Sequence, residues 1–209
     1  MTEHPHQLLS IRVADDPDAW TEAGFTVTDG VTRIADTTVE LTGAGDPSGF
    51  VDVAVDGIDM QIDGMPFSGT APPAPAPPTH RNHVTGFDHL VAMSPDMDRT
   101  TAALEAAGLE HRRTRTFEMG GATRRQAFFW LGSVILELAG DDAAHGEGPA
   151  VIWGLALTCD DLDAAASALG DSLGTVKPAV QHGRRIATVR TRELGISVPI
   201  ALMSPHPRS

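Results

Sequence analysis

From Val84 onward the chain switches between two hydrophobic periods, and each switch marks the start of a predicted element. VTGFDHLVAM is an apolar run that reads as a strand and stops at Ser94–Pro95. Ser94 can cap a helix whose first position is Pro95, where a missing N–H costs nothing, and Asp96 suits the positive end of that helix. Met97, Thr101, Leu104 and Ala107 line one face at helical spacing, and Gly108 supplies a left-handed stop. Three strand-like runs follow, HRRTRTFEM, TRRQAFFWL and SVILELA, parted by Gly120–Gly121 and by Gly132.

The same order then recurs. VIWGLALT reads as a strand, and Thr158 to Asp161 as a capping box ahead of Leu162, Ala165, Ala166 and Leu169, with Gly170 ending the helix. GTVKPAV, RRIATVRT and GISVPIALM complete the unit. Asp96–Met97–Asp98 and Asp161–Leu162–Asp163 are offset by 65 residues, so residues 84–205 form an internal duplication, with copies at 84–140 and 150–205.

Residues 1–69 read as a shortened third copy. LLSIRVADDPDAW is a strand and a short helix, and GFTVTD, TRIAD and TVELTG are brief strands that put Glu40 where SVILELA puts Glu137. FVDVAVDGIDMQIDG adds further β structure. Between this module and the duplication, TAPPAPAPPTH lies in a proline-rich linker, residues 70–83, that favours an extended polyproline conformation. The predicted fold class is α+β, built from strand-helix-three-strand modules.

Charge narrows the partners. Residues 1–80 hold 13 acidic and 2 basic side chains, and the whole chain has a net charge of -13. A surface that tracks phosphates needs net positive charge, so nucleic acid and anionic membrane are excluded as partners. Cys159 is the only cysteine, which rules out an intrachain disulfide and a cysteine metal cluster. Its expected place at a helix start would lower its pKa, but with no arranged histidine partner a buried structural thiol is the better reading. The N-terminus lacks the basic and apolar regions of a secretory signal, and no apolar run approaches the ~20 residues of a spanning helix. A cytoplasmic protein is expected.

His89 in the first strand of the first copy and Glu137 in its last strand are an imidazole and a carboxylate at like positions, suited to a divalent ion. The second copy has Gly154 and Pro199 at those places. The duplicated order, His89, Glu137 and the helix-opening segments PDMDRTTAAL and DDLDAAASAL resemble the glyoxalase-like, or vicinal oxygen chelate, superfamily. The resemblance implies that two modules pair into a cleft-shaped curved sheet. It also implies that His89 and Glu137 are metal ligands for Zn, Ni, Mn or Fe, with an incomplete ligand set. His182, His111 and Glu118 are candidates to complete it.

Within that frame Arg184 and Arg185 are expected to meet an anionic substrate, with Trp130 and Trp153 lining the cleft. The function expected is binding of a small polar or anionic metabolite, extended by a metal to a lyase or isomerase acting on a 2-oxo or vicinal-dioxygen compound. A metal-free small-molecule binder, like the superfamily's antibiotic-resistance members, is the alternative, and a homodimer is left open.

Overall fold

A computed structural model describes residues 4–45, 48–71, 73 and 76–207. Its elements in chain order begin with β1 (Leu8–Val13), α1 (Pro17–Glu22), β2 (Val31–Ile34) and β3 (Thr37–Leu41). Next come β4 (Phe50–Val55), β5 (Met60–Ile62) and β6 (Met65–Ser68). The longest repeat is β7 (Val84–Ser94), α2 (Met97–Ala106), β8 (His111–Met119), β9 (Ala122–Leu131) and β10 (Val134–Asp141). The last is β11 (Val151–Cys159), α3 (Leu162–Leu169), β12 (Lys177–Pro178), β13 (Arg185–Thr188), α4 (Thr191–Leu194) and β14 (Ile200–Met203). The architecture is α+β, with a six-stranded and an eight-stranded sheet.

One pairing rule recurs. The first strand of each repeat lies parallel to its last, β1 to β3, β4 to β6, β7 to β10 and β11 to β14. The strand before the last then runs antiparallel beside it, as β2 does with β3, β5 with β6, β9 with β10 and β13 with β14. The segment FVDVAVDGIDMQIDG is therefore a repeat in its own right, one that has lost its helix. Residues 1–69 hold two eroded copies where the sequence suggests one. The expected strand GFTVTD reduces to a single bridge between Thr28 and Val31. In the linker, Pro72, Ala74 and Pro75 lie outside the described residues, and Ala76–Thr79 have no regular structure.

The chain divides into two compact units. The first comprises Met1–Leu9, Asp52–Ala71 and His89–Gly154, and the second Ser10–Val51, Pro72–Asp88 and Leu155–Ser209. In the first, α2 packs on β10, and Met97, Thr100 and Leu104 are buried with Leu90, Ala92, Leu136, Leu138 and Phe129. The cap of α2 differs from the sequence expectation. Asp96, not Ser94, caps it, accepting from the Arg99 N–H, and the helix begins at Met97. Ser94 Oγ instead accepts from the Asp96 N–H and sits 2.6 Å from Thr100 Oγ1.

The β5–β6 turn anchors against the start of α2. Asp63 and Gly64 both have positive φ, 47° and 88°, the conformation that a two-residue Asp-Gly hairpin turn requires. Asp63 takes both Nε and Nη2 of Arg99, at 2.9 and 3.1 Å, and also accepts from Thr100 Oγ1. Arg99 then donates to the Gly146 and Gly148 carbonyls, fixing the loop after β10. A Cβ on Gly64 would meet Pro149 at 2.2 Å, so only glycine admits that approach.

In the second unit Asp161 caps α3, and Leu162, Ala165 and Leu169 are buried on its inner face. Cys159 closes β11 rather than opening a helix, and burial pushes its thiol up to about 11. Its Sγ–H donates to the Asn82 carbonyl at 3.5 Å, the setting of a structural thiol. Expected strand GTVKPAV shrinks to the two residues of β12, and the turn of helix α4 replaces the end of RRIATVRT. Among the described residues no helix is long and apolar enough to cross a membrane.

His80, near the end of the linker, ties it to β2 and to the loop before β2. Its Nδ1 accepts from the Thr26 N–H and its Nε2 donates to the Arg33 carbonyl, both at 3.1 Å. Burial holds the imidazole below its ordinary 6.5, against the opposing effect of the Arg33 carbonyl. The unfolded chain therefore takes up this proton at higher pH than the folded one. Stability from His80 is complete above pH 6.5 and is lost as pH falls below that value. Denaturant unfolding at pH 7.5 and 5.5 is expected to give a lower free energy at the acid value, with the difference reduced in His80→Gln.

Candidate functional site

Alternation along the strands of the first unit sorts their side chains onto two faces. The helix side holds the buried apolar residues Leu90, Ala92, Ala127, Phe129, Leu136 and Leu138. The opposite face is built by register. His89 pairs with Ile135, which pairs with Trp130, and Glu137 pairs with Phe128, which pairs with Arg113. One step along, Ala139 pairs with Gln126, and Gln126 with Arg115.

This face carries a line of polar contacts. His89 Nε2 is 3.6 Å from Glu137 Oε2, and both side chains are 15% exposed. The other oxygen, Glu137 Oε1, accepts from Gln126 Nε2. Gln126 Oε1 in turn accepts from Arg115 Nε at 2.6 Å. A carboxamide between a carboxylate and a guanidinium has its orientation fixed by both neighbours, since only its nitrogen donates and only its oxygen accepts. The line thus runs from imidazole through carboxylate and amide to a cation.

Aromatic rings support the arginines of β8. The guanidinium carbon of Arg113 lies 4.4 Å from the Phe128 ring centre, that of Arg112 4.6 Å from Trp130, and that of Arg115 5.1 Å from Phe117. An irregularity between His111 and Arg113 shifts the β8 register, and Arg112 and Arg113 are both set over β9 rings. Trp130 also stacks on His4, with ring centres 4.1 Å apart, and His4 Nδ1 is 3.0 Å from Glu110 Oε2.

The expected site residues are distributed as follows. His89, Glu137 and Trp130 share the face just described. Trp153 is half exposed on β11, and alternation turns it away from the side of buried Gly154. In the second unit Arg184 is 2% exposed. Its guanidinium donates to Asp88 Oδ2 at 2.5 Å and to the Ser204 carbonyl at 2.7 Å, and lies 3.3 Å from His206 Nε2. The guanidinium expected to meet an anion is thus enclosed by protein partners. Arg185 is exposed and forks onto Asp163 of α3 with two 2.9 Å contacts, holding that carboxyl below the usual carboxylate range.

His182 is exposed, His111 stacks on Phe129, and Glu118 accepts from Thr123. None of the three joins His89 and Glu137. Among the described residues no group of three or more His, Cys, Asp or Glu side chains is placed to hold a metal ion. Gln126, Arg112, Arg113 and Arg115 were missed from sequence. Their signal was the period of two in RRTRTF and RRQAFF, which puts Arg113 and Arg115 on one face of β8 and Gln126 and Phe128 on one face of β9.

No family model matches the chain, and no curated protein sequence does. Solved structures do. A mutant of 4-hydroxymandelate synthase from Streptomyces coelicolor superposes with a TM-score of 0.64 at 15% identity, over 99% of this chain and 94% of that one. A catechol 2,3-dioxygenase gives 0.55 at 13% identity, over 100% and 91%. A xylose isomerase-like TIM barrel/4-hydroxyphenylpyruvate dioxygenase fusion protein gives 0.63 at 10% identity, over 100% of this chain and 51% of that one. At these identities the likeness is one of fold.

The Arg184–Asp88 pair carries a prediction of its own. Asp88→Ala leaves an arginine whose side chain is 1% exposed without its carboxylate, and breaking such a pair costs about 3–5 kcal/mol. Urea unfolding is expected to show a loss of that order, partly recovered when Arg184→Met is added.

Proposed function

Starting from the vicinal oxygen chelate, or glyoxalase-like, fold that this chain has, we propose that it binds a small anionic metabolite without a resident metal. The ligand sits on the β7–β10–β9–β8 face of the first unit. The observation that carries this reading is that His89 and Glu137 come together, 3.6 Å apart, with no third His, Cys, Asp or Glu beside them among the described residues. A divalent ion held by protein needs three or four donors in a fixed geometry. Two side chains with no third donor among the described residues do not fit a resident Zn, Ni, Mn or Fe. The family's metal-assisted lyase or isomerase chemistry therefore supplies no step here.

The same residues suit a metal-free contact. The terminal nitrogens of Arg115 present donors, and half-buried Ile135, paired with His89, supplies apolar surface on the same face. Few polar groups over an apolar floor is the usual composition of a small-molecule site. Fixing the Gln126 amide between Glu137 and Arg115 sets the arginine before the ligand arrives, which lowers the ordering cost of binding.

Metal analysis of protein purified without chelator is expected to find less than a stoichiometric amount. Adding Ni, Zn, Mn or Fe ions should leave the melting temperature of wild type unchanged. A panel of small carboxylic acids should raise the melting temperature for at least one member, by an increment that His89→Ala and Arg115→Gln both reduce. A stoichiometric metal that Glu137→Ala removes would overturn the metal-free reading.

A further inference from the structure

We propose that the ligand of this face carries two acidic groups, and that Arg113 and Arg115 take one each. The inference rests on the reading of the first unit's sheet face as a small-molecule site, and it names the class of ligand. It starts from charge. Residues 111–125 hold five arginines and one glutamate, a net of +4 within a chain of net -13. Such an island focuses anions against the sign of the rest of the molecule.

The five arginines are not equivalent. Arg125 is held by Asp98 and Asp142, which keep its guanidinium firmly charged, and Arg124 lies 3.6 Å from Asp141. Arg112, Arg113 and Arg115 form no ion pair with a described carboxylate and lie over rings instead. The acids around them are otherwise engaged. Glu137 is bonded to Gln126 and near His89, Glu118 accepts from Thr123, and Glu110 meets His4. A guanidinium lying over a ring keeps its N–H bonds in its own plane, so its donor edge remains open to a carboxylate or phosphate that can bind bidentately.

Spacing selects the ligand. Arg113 and Arg115 are two residues apart on β8, on one face, with Thr114 between them pointing the other way. Residues two apart on a strand are separated by about 6.6 Å. That separation is between Cα atoms; the guanidinia themselves are held over different rings, Arg113 over Phe128 of β9 and Arg115 over Phe117 of β8, an arrangement that a short molecule with an acid at each end matches. Arg115 has its Nε on Gln126 and offers its two terminal nitrogens, while the Arg113 guanidinium makes no hydrogen bond among the described residues and lies over the Phe128 ring. Linear dicarboxylates and diphosphates share this chemistry.

Calorimetric titration of the full chain with linear dicarboxylic acids of four to eight carbons, with pyrophosphate, and with monocarboxylic acids of matching length tests the assignment. One two-acid ligand is expected to bind at least tenfold more tightly than its one-acid counterpart, and whether it is a dicarboxylate or pyrophosphate identifies the source. R113Q and R115Q should each remove most of that preference, while R192Q, on α4, should keep it. Both β8 variants alter partly exposed side chains and should melt near wild type. Equal binding of one-acid and two-acid ligands by wild type, or an unchanged preference in R113Q and R115Q, overturns the assignment while leaving the site reading intact. Binding of no acid at all overturns the site reading and this inference with it.

Discussion

Parallel pairing between the first and last strand of each repeat is the constraint from which the rest of the structure follows. Two parallel neighbours cannot be joined by a hairpin, so the chain must leave, cross over and return between them. In the longest repeat that excursion consists of α2, β8 and β9, and it delivers both faces of the sheet at once. The helix covers one face, and the returning strands lay the arginine and aromatic side chains on the other. The register matters as much as the pairing. His89 opposite Ile135 places Glu137 one step further along, on the same face. A slip of one residue would turn Glu137 toward the helix and Leu136 and Leu138 outward, which the buried leucines forbid.

Arginine does two kinds of work in this chain, and its partner distinguishes them. Arg99 and Arg184 each close on a carboxylate and on backbone carbonyls, and each ties distant segments of one unit together. Arg113 and Arg115 rest on rings and form no ion pair with a described carboxylate. Sequence treats all four alike, since the partners Asp63 and Asp88 are 36 and 96 residues away. The acidic excess of the chain is accordingly not featureless: some of it neutralises the structural arginines and Arg124 and Arg125 of β9, while Arg112, Arg113 and Arg115 of β8 form no ion pair with a described carboxylate.

The duplication at 84–205 was legible because glycine, proline and capping residues punctuate it, and because its apolar spacing alternates between two clear periods. Erosion hid the fourth copy. Between β4 and β5 only four residues, 56–59, stand where a helix and a strand would be, so nothing in the pattern marks a repeat. The helix starts were displaced for a local reason, since both Asp96 and Asp161 outcompete their upstream hydroxyl neighbours as acceptors for the first N–H groups. His89 and Glu137 were found as a pair by position along their strands. What surrounds them was not, because the line through Gln126 to Arg115 depends on cross-strand register, a property of three strands together.

β8 is also the last strand of its sheet, with one side of its backbone unpaired by any strand among the described residues. A nine-residue edge of this kind is a template on which another chain could add a strand and begin to aggregate. The β8 of a second molecule would bring its own Arg112, Arg113 and Arg115 against the first set, and the irregularity at their start would spoil the match. The arginines that suit this strand to meeting a small acid are also the kind of charge that blunts an open edge.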